Sequence, residues 1–271
     1  MRLLFCGDLV GRAGRDAFIR HVPELRRDLA IDFVVVNGEN AAGGFGITEA
    51  ICKDIFAAGA DVISGGNHSW DQREALSFIE REPRLLRPHN YPPQTPGRGA
   101  AVFTGAKGQK VLVVNVMGRL FMDALDDPFA CVEQELSRHR LGGSVSAILI
   151  DVHAEASSEK MALAHYVDGR ASLVVGTHTH VPTADAMILS GGTAYMTDAG
   201  MCGDYDSVIG MDKGLSVTRF VRRLPTERLR AAEGEGTLCA VLVETDDRSG
   251  LARRVEPIRV GGRLAPALPK L

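Results

Sequence analysis

A chain of 271 residues, 45% hydrophobic and 24% charged, has material for one large core or two small ones and reads as an ordinary globular protein. Its 31 basic and 34 acidic side chains leave a net charge of −3, which argues against strong nucleic-acid binding, a task that calls for a basic face. No apolar stretch approaches the roughly 20 residues of a membrane span, the start is too short for a signal peptide, and five widely spaced cysteines without a CxxC pair read as reduced thiols of a cytoplasmic protein.

In chain order, Arg2–Cys6 is a short apolar strand that stops at Gly7. Residues 15–30 carry apolar side chains at helical spacing, and Pro23 is expected to kink or interrupt that helix. The run Phe33-Val34-Val35-Val36 reads as a strand buried on both faces. Thr48 can cap a helix through Ala58, Asp61–Ser64 is a third strand, and a helix is predicted from Trp70 to Arg81. Residues 83–99, rich in Pro and Gly, form a loop. A hairpin (101–104 and 110–115), a helix (128–140), a strand (145–150), a helix (157–167) and a strand (173–175) follow. The tail turns antiparallel, with short strands near 186–189 and 193–197, then 238–244 and 253–258 about a polar turn. With no linker, repeat or low-complexity tract, the reading is one α/β domain over 1–271, built on two mixed sheets or one large one.

The polar residues fall at the carboxyl ends of the predicted strands, where open α/β sheets bind ligands. Strand by strand these are Asp8; Glu39 and Asn40; Asn67 and His68; His153; and His178 with His180. Each motif alone is weak, since Gly-Asp or Gly-Asn-His is commonly a turn. Five together are hard to obtain by accident. Asp8, Glu39, Asn40, Asn67, His153, His178 and His180 offer more donors than one four-coordinate zinc uses, and no thiolate. They suit two cations sharing Glu39 at a separation of roughly 3.5–4 Å, with iron, manganese and zinc all compatible with mixed N/O ligation. Such a pair implies attack on phosphorus by a bridging hydroxide. His68, next to Asn67, cannot easily reach the same metal and is placed to bind a phosphoryl oxygen or protonate the leaving alkoxide. Asp71 either orients that imidazole or is a first-turn helix acid.

The motif order resembles the calcineurin-type metallophosphoesterases and, more closely, their YmdB-like branch. The resemblance rests on Gly7-Asp8-Leu9-Val10-Gly11, Asn37-Gly38-Glu39-Asn40-Ala41-Ala42-Gly43-Gly44, Gly66-Asn67-His68-Ser69-Trp70-Asp71, Asp151-Val152-His153-Ala154-Glu155 and Gly176-Thr177-His178-Thr179-His180. It continues through Thr197–Gly203 and Asp206–Asp212. The wider superfamily begins with Asp-x-His, whereas position 10 here is Val; its second motif is Gly-Asp, whereas here it is Gly38-Glu39-Asn40. Asn40 would then supply the ligand that Val10 lacks. The resemblance implies a four-layer sandwich of two mixed β-sheets flanked by helices. It implies Asp8, Glu39, Asn40 and His180 on one metal, Glu39, Asn67, His153 and His178 on the other, and His68 as the acid. It further implies phosphodiesterase action on cyclic nucleotides (2′,3′- and 3′,5′-cyclic phosphates), iron as the first choice of metal, and a homo-oligomer. The alternatives kept open are a phosphomonoesterase or nucleotidase on the same metals, and a low-turnover module that binds nucleotide or RNA.

The other histidines, 21, 89, 139 and 165, read as ordinary surface or half-buried residues. Gly43–Gly46 either approaches the site with its backbone or is a flexible connection into a helix. Residues 200–214 are expected to wall the site or touch another subunit. The basic stretch 219–230 reads as a solvated face or subunit contact rather than an RNA site, because no aromatic platform accompanies it. Trp70 fits a core anchor or a stacking surface equally well.

Overall fold

The computed structural model describes residues 1–223 and 227–269, so residues 224–226 of the basic stretch lie outside the described residues. Two mixed sheets carry the fold. The first is built from β1 (Arg2–Cys6), β3 (Phe33–Asn37), β4 (Val62–Ser64), β12 (Leu238–Thr245) and β13 (Ala252–Val260), in the order β13-β12-β1-β3-β4. The second takes β5 (Ala100–Thr104), β6 (Lys110–Met117), β7 (Ala147–His153), β8 (Leu173–Thr177), β9 (Met187–Ile188) and β10 (Ala194–Met196), in the order β5-β6-β7-β8-β10-β9. A two-residue pairing of β2 (Asp8–Leu9) with β11 (Met201–Cys202) sits at the end of β1.

Side-chain alternation along the strands sorts the core into three layers. Leu3 and Phe5 of β1, with Phe33 and Val35 of β3, face Val111, Val113, Leu149 and Val175 of the other sheet. Leu4, Cys6, Val34 and Val36 point the opposite way, onto α1 (Gly11–Asp28) and α2 (Glu49–Ala57) through Phe18, Val22, Cys52 and Ile55. On the far side, Leu112, Val114, Ile148 and Ile150 pack on Val132 of α4 (Pro128–Arg138) and on Leu163 and Ala164 of α5 (Ser157–Tyr166). The result is the expected four-layer α/β/β/α sandwich. Strands β1, β3 and β4 run parallel, as do β6, β7, β8 and β10, so each sheet delivers its carboxyl-terminal loops to one edge.

The sequence reading needs correction in three places. Helix α1 passes Pro23 without a break. The backbone bond lost there is outweighed by the buried stripe Ala17, Phe18, Val22 and Leu25. The helix expected over Trp70–Arg81 shrinks to α3 (Ala75–Phe78). Its first turns are diverted because Ser69 Oγ bonds Gly66 and Gln72 Nε2 donates to the Phe45 carbonyl, 2.7 Å away, tying the segment to two other loops. Asp71 is therefore a turn residue, and the first-turn helix reading falls. Finally, α6 (Lys213–Arg222), capped by Asp212 accepting from Leu215 N, occupies what read only as a basic stretch. Thr48 does cap α2, accepting from Ile51 N.

Candidate metal centre

The five strand-end loops meet at the carboxyl edge shared by the two sheets. Asp8, Glu39, Asn40, His153 and His180 are almost wholly buried, and Asn67 and His178 half-buried. Two groups of ligand-capable atoms lie together, each within 4.8 Å: Glu39, His153 and His178, and Asp8, Glu39 and His180. Glu39 belongs to both. Asn67 Oδ1 joins the first group, 2.8 Å from His153 Nε2. Asn40 joins the second, its amide nitrogen 3.2 Å from His180 Nε2 and 2.9 Å from Glu39 Oε1. The remaining histidines stay away; His89 and His139, for instance, lie against Glu135.

Several loops are held by side chains that only the folded chain brings near. The turn at 66–68 closes on Glu39, whose Oε2 accepts from His68 N at 2.9 Å. Gly66 permits this approach, because a Cβ there would lie 2.3 Å from Glu39 Oε2 and 2.4 Å from His153 Nε2. His178 and His180 both take positive φ, 95° and 67°, a conformation costly for non-glycine residues. Thr179 between them is clamped by Asp198, which accepts from Thr179 N (3.1 Å) and Oγ1 (2.8 Å). The fully buried Lys160 ammonium of α5 sits 2.8 Å from the same oxygen of Asp198. His180 Nδ1 donates to the Ile209 carbonyl at 2.7 Å, which leaves Nε2 unprotonated toward Asp8 and Asn40.

Electrostatically the pocket is strongly coupled. Burial pushes the Asp8 carboxyl up to about 7, against the pull of His180 and His153. Burial would also raise Glu39, but the His153 imidazole 3.2 Å away outweighs it and holds Glu39 at about 2. His153 would be lowered by burial, yet Glu39 lifts it to about 9, while burial and the neighbouring His153 drive His178 down to about 3. In the polypeptide alone, then, a proton on His153 balances Glu39.

That balance is incomplete. Among the described residues only four buried side-chain polar atoms lack a hydrogen-bond partner, and two of them, Asp8 Oδ1 and Asn40 Oδ1, are in this pocket. An unsatisfied buried acceptor costs about 1–3 kcal/mol, more if charged. A carboxylate and an amide oxygen beside imidazole nitrogens are the donor set of a hard-to-intermediate cation, so the residues fit a metal pair.

At the rim, His68 is about one-third exposed. Its Nδ1 lies 2.9 Å from Asp71 Oδ2, and since a carboxylate only accepts, Nδ1 carries a proton and Nε2 remains available. The Phe45 ring stands edge-on to His68, with centroids 5.2 Å apart.

A family model described as YmdB-like protein matches residues 4–258. The chain belongs to the YmdB-like family. A Bacillus subtilis (strain 168) member of the curated relatives, a 2′,3′-cyclic-nucleotide 2′-phosphodiesterase, is 46% identical over 96% of this chain and 97% of its own length. Two crystal structures share the fold. One, of a hypothetical protein from Thermus thermophilus, superposes with TM-score 0.90 at 43% identity, covering 97% of this chain and all of the other. The second, a phosphatase from Mycoplasma pneumoniae, gives TM-score 0.89 at 30% identity over 96% and 93% of the two chains.

The strand-end pattern singled out the seven ligand candidates that the fold brings together here. What it missed are the supports: Asp151, Thr177, Lys160 and Asp198, all wholly buried. Asp151 had a sequence signal, an acid inside the apolar run Ala147–Val152. Lys160, on a helix without a marked apolar face, had none.

Proposed function

We propose that this chain is a metal-dependent phosphodiesterase that hydrolyses cyclic nucleotides, 2′,3′- and 3′,5′-cyclic phosphates among them. The observation that carries the reading is the shared Glu39 between two ligand groups, with an unpartnered Asp8 oxygen buried beside it. The 46% identical relative described as a 2′,3′-cyclic-nucleotide 2′-phosphodiesterase supports the substrate class.

In this reading Asp8, Glu39, Asn40 and His180 hold one cation and Glu39, Asn67, His153 and His178 the other. Iron is the first choice, with manganese or zinc alternatives. A bound pair would supply Lewis-acid stabilisation of the phosphoryl oxygens and a nucleophile at neutral pH. The chain's own contribution is positional. The His180 tautomer set by Ile209 presents Nε2, and a half-turn of the Asn40 amide would place Oδ1 where Nδ2 now faces His180. His68, its Nδ1 proton held by Asp71, donates to the leaving oxygen from Nε2 on the open side of the pocket when the ring carries a second proton there.

We also read residues 1–271 as one domain, since β1 pairs with β12 near the other end of the chain. Five free cysteines support a reducing, cytoplasmic setting. No described helix is long and apolar enough to cross a membrane. The exposed Val217, Phe220 and Val221 of α6 support a homo-oligomer.

The test pairs elemental analysis of gently purified protein with turnover of 2′,3′-cyclic AMP by the same sample. Two metals per chain, and hydrolysis abolished by chelation, are expected. Faster cleavage of mono- than of bis-p-nitrophenyl phosphate would instead indicate a phosphomonoesterase. Full metallation with tight nucleotide binding and negligible turnover would indicate a binding module.

A further inference from the structure

Beneath the metal pocket, Asp151 of β7 is a wholly buried carboxyl group, and no cationic side chain of the described residues lies in hydrogen-bonding reach of it; burial pushes its pKa up, against the pull of His153 and of the three hydrogen bonds that favour the carboxylate. Its surroundings are neutral donors, one from each of three other strands and from both sheets. Asn37 Nδ2, at the end of β3, donates to Oδ2 at 3.1 Å, and Ser64 Oγ, at the end of β4, donates to the same oxygen at 2.5 Å. Thr177 Oγ1, at the end of β8, donates to Oδ1 at 2.7 Å. Each donor leads straight into a loop of the site. Asn37 Oδ1 in turn accepts from Glu39 N at 3.1 Å; Ser64 precedes the 65–68 turn; Thr177 precedes His178.

The Thr177 hydroxyl has one proton. Because a carboxylate can only accept, that proton goes to Asp151, and the hydroxyl can offer His153 Nδ1, 3.0 Å away, only a lone pair. The ring nitrogen must then be the donor. The next acceptor, Asp8 Oδ1, is 3.8 Å from Nδ1 and too far to compete.

We propose that Asp151 is a positioning residue that, through the Thr177 hydroxyl, fixes a proton on His153 Nδ1 and so leaves Nε2 as the nitrogen turned to Glu39, Asn67 and the metal. The inference rests on the reading of this pocket as a metal centre, but the proton placement itself can be observed without metal. It also makes Asp151→Asn a directional change. The new amide satisfies Asn37 and Ser64 only by keeping its oxygen toward them, so its NH2 faces Thr177. The hydroxyl must then turn its proton onto His153 Nδ1, which strips that nitrogen of its own proton and leaves the ring protonated only at Nε2, the nitrogen a metal needs.

The experiment compares wild type, Thr177→Val, Thr177→Ser and Asp151→Asn as full-length chains, using Zn2+ as a diamagnetic probe. Affinity is read by competition with a chelator, and the His153 ring protons by NMR of 15N-histidine-labelled protein with and without Zn2+. Thr177→Val, close in shape to the native residue, is expected to weaken Zn2+ binding by about 10- to 100-fold, as loss of an outer partner of a ligating histidine does. Thr177→Ser should restore it. Wild type and Thr177→Ser should show an exchange-protected Nδ1 proton on His153, Thr177→Val an unprotected one, and Asp151→Asn no Nδ1 proton, with the ring protonated at Nε2 alone. Wild-type affinity in Thr177→Val, equal losses in the Val and Ser variants, or no protected Nδ1 proton in wild type would each overturn the proposal. A wild type that binds no Zn2+ yet protects the Nδ1 proton would refute the metal-centre reading and leave the proton placement standing.

Discussion

The two ends of the β-sandwich are made by the same strands and differ in how they carry charge. At the amino end, Lys107 Nζ meets Asp32 at 2.7 Å and the N-terminal ammonium meets Asp247 at 2.8 Å, with Lys107 74% and Asp247 90% exposed. These pairs border an open cavity of about 390 Å³, and one member of each stands in solvent while the other, Asp32 or Met1, is largely covered. At the carboxyl end Asp8, Glu39 and His153 are at most 1% exposed, and Asp8 Oδ1 is left without a hydrogen-bond partner among the described residues. Solvent screens the first arrangement until it contributes almost nothing. The second is costly to the fold unless something the chain lacks completes it. Concentrated, buried and incompletely paired charge is the physical mark of the functional end.

The sharpest way to break that comparison is Glu39→Gln. It removes the charge common to both ligand groups, and metal content should fall by most of its value with activity lost, as elemental analysis and turnover would record. Retention of two metals per chain would show that Glu39 is not shared. Next, His68→Ala should keep both metals, because it is the backbone N–H of His68 that bonds Glu39, while kcat falls by about 10²–10⁴, the usual worth of a general acid. Metal loss in that variant would mean His68 is a ligand.

Lys160→Met tests the supports of the carboxyl end. Leaving Asp198 buried without its cation should cost about 3–5 kcal/mol in denaturant unfolding, and should loosen the strained His178–His180 turn. Asn40→Ala is expected to lower occupancy at one of two metals rather than both; unchanged occupancy would sink its role as replacement for a ligand at Val10. Lys107→Ala, at the amino end, should shift stability by about 0–1 kcal/mol, in keeping with an exposed pair. A larger loss there would erase the contrast between the two ends.

How much was legible in advance depended on whether the signal was local. Strand ends marked by Gly-Asp, Gly-Asn-His and His-x-His announce themselves in a few consecutive residues, and all seven proposed ligands were found that way. The helix expected over Trp70–Arg81 failed for the opposite reason: the partners of Ser69 and Gln72 are Gly66 and the distant Phe45, and these contacts outweigh helical propensity. Asp71 was read correctly as a neighbour of His68 and wrongly as a possible helix-start acid, because i,i+3 proximity survives in a turn. Asp151 was visible as an oddity in an apolar run, but its three donors come from Asn37, Ser64 and Thr177, separated by up to 114 positions.

By itself, then, the sequence determined the layer pattern and the chemistry. Alternating apolar positions set which strand faces are buried, and donor types at the carboxyl ends of the strands set what the pocket can hold. The tertiary structure alone decided which nitrogen of His153 and of His180 is turned into the pocket, and that Lys160 and Asp198 hold two histidines at positive φ. Those are relations between side chains on different strands, fixed only when two sheets pack and their parallel ends meet. No local pattern of residues encodes a distance across that seam.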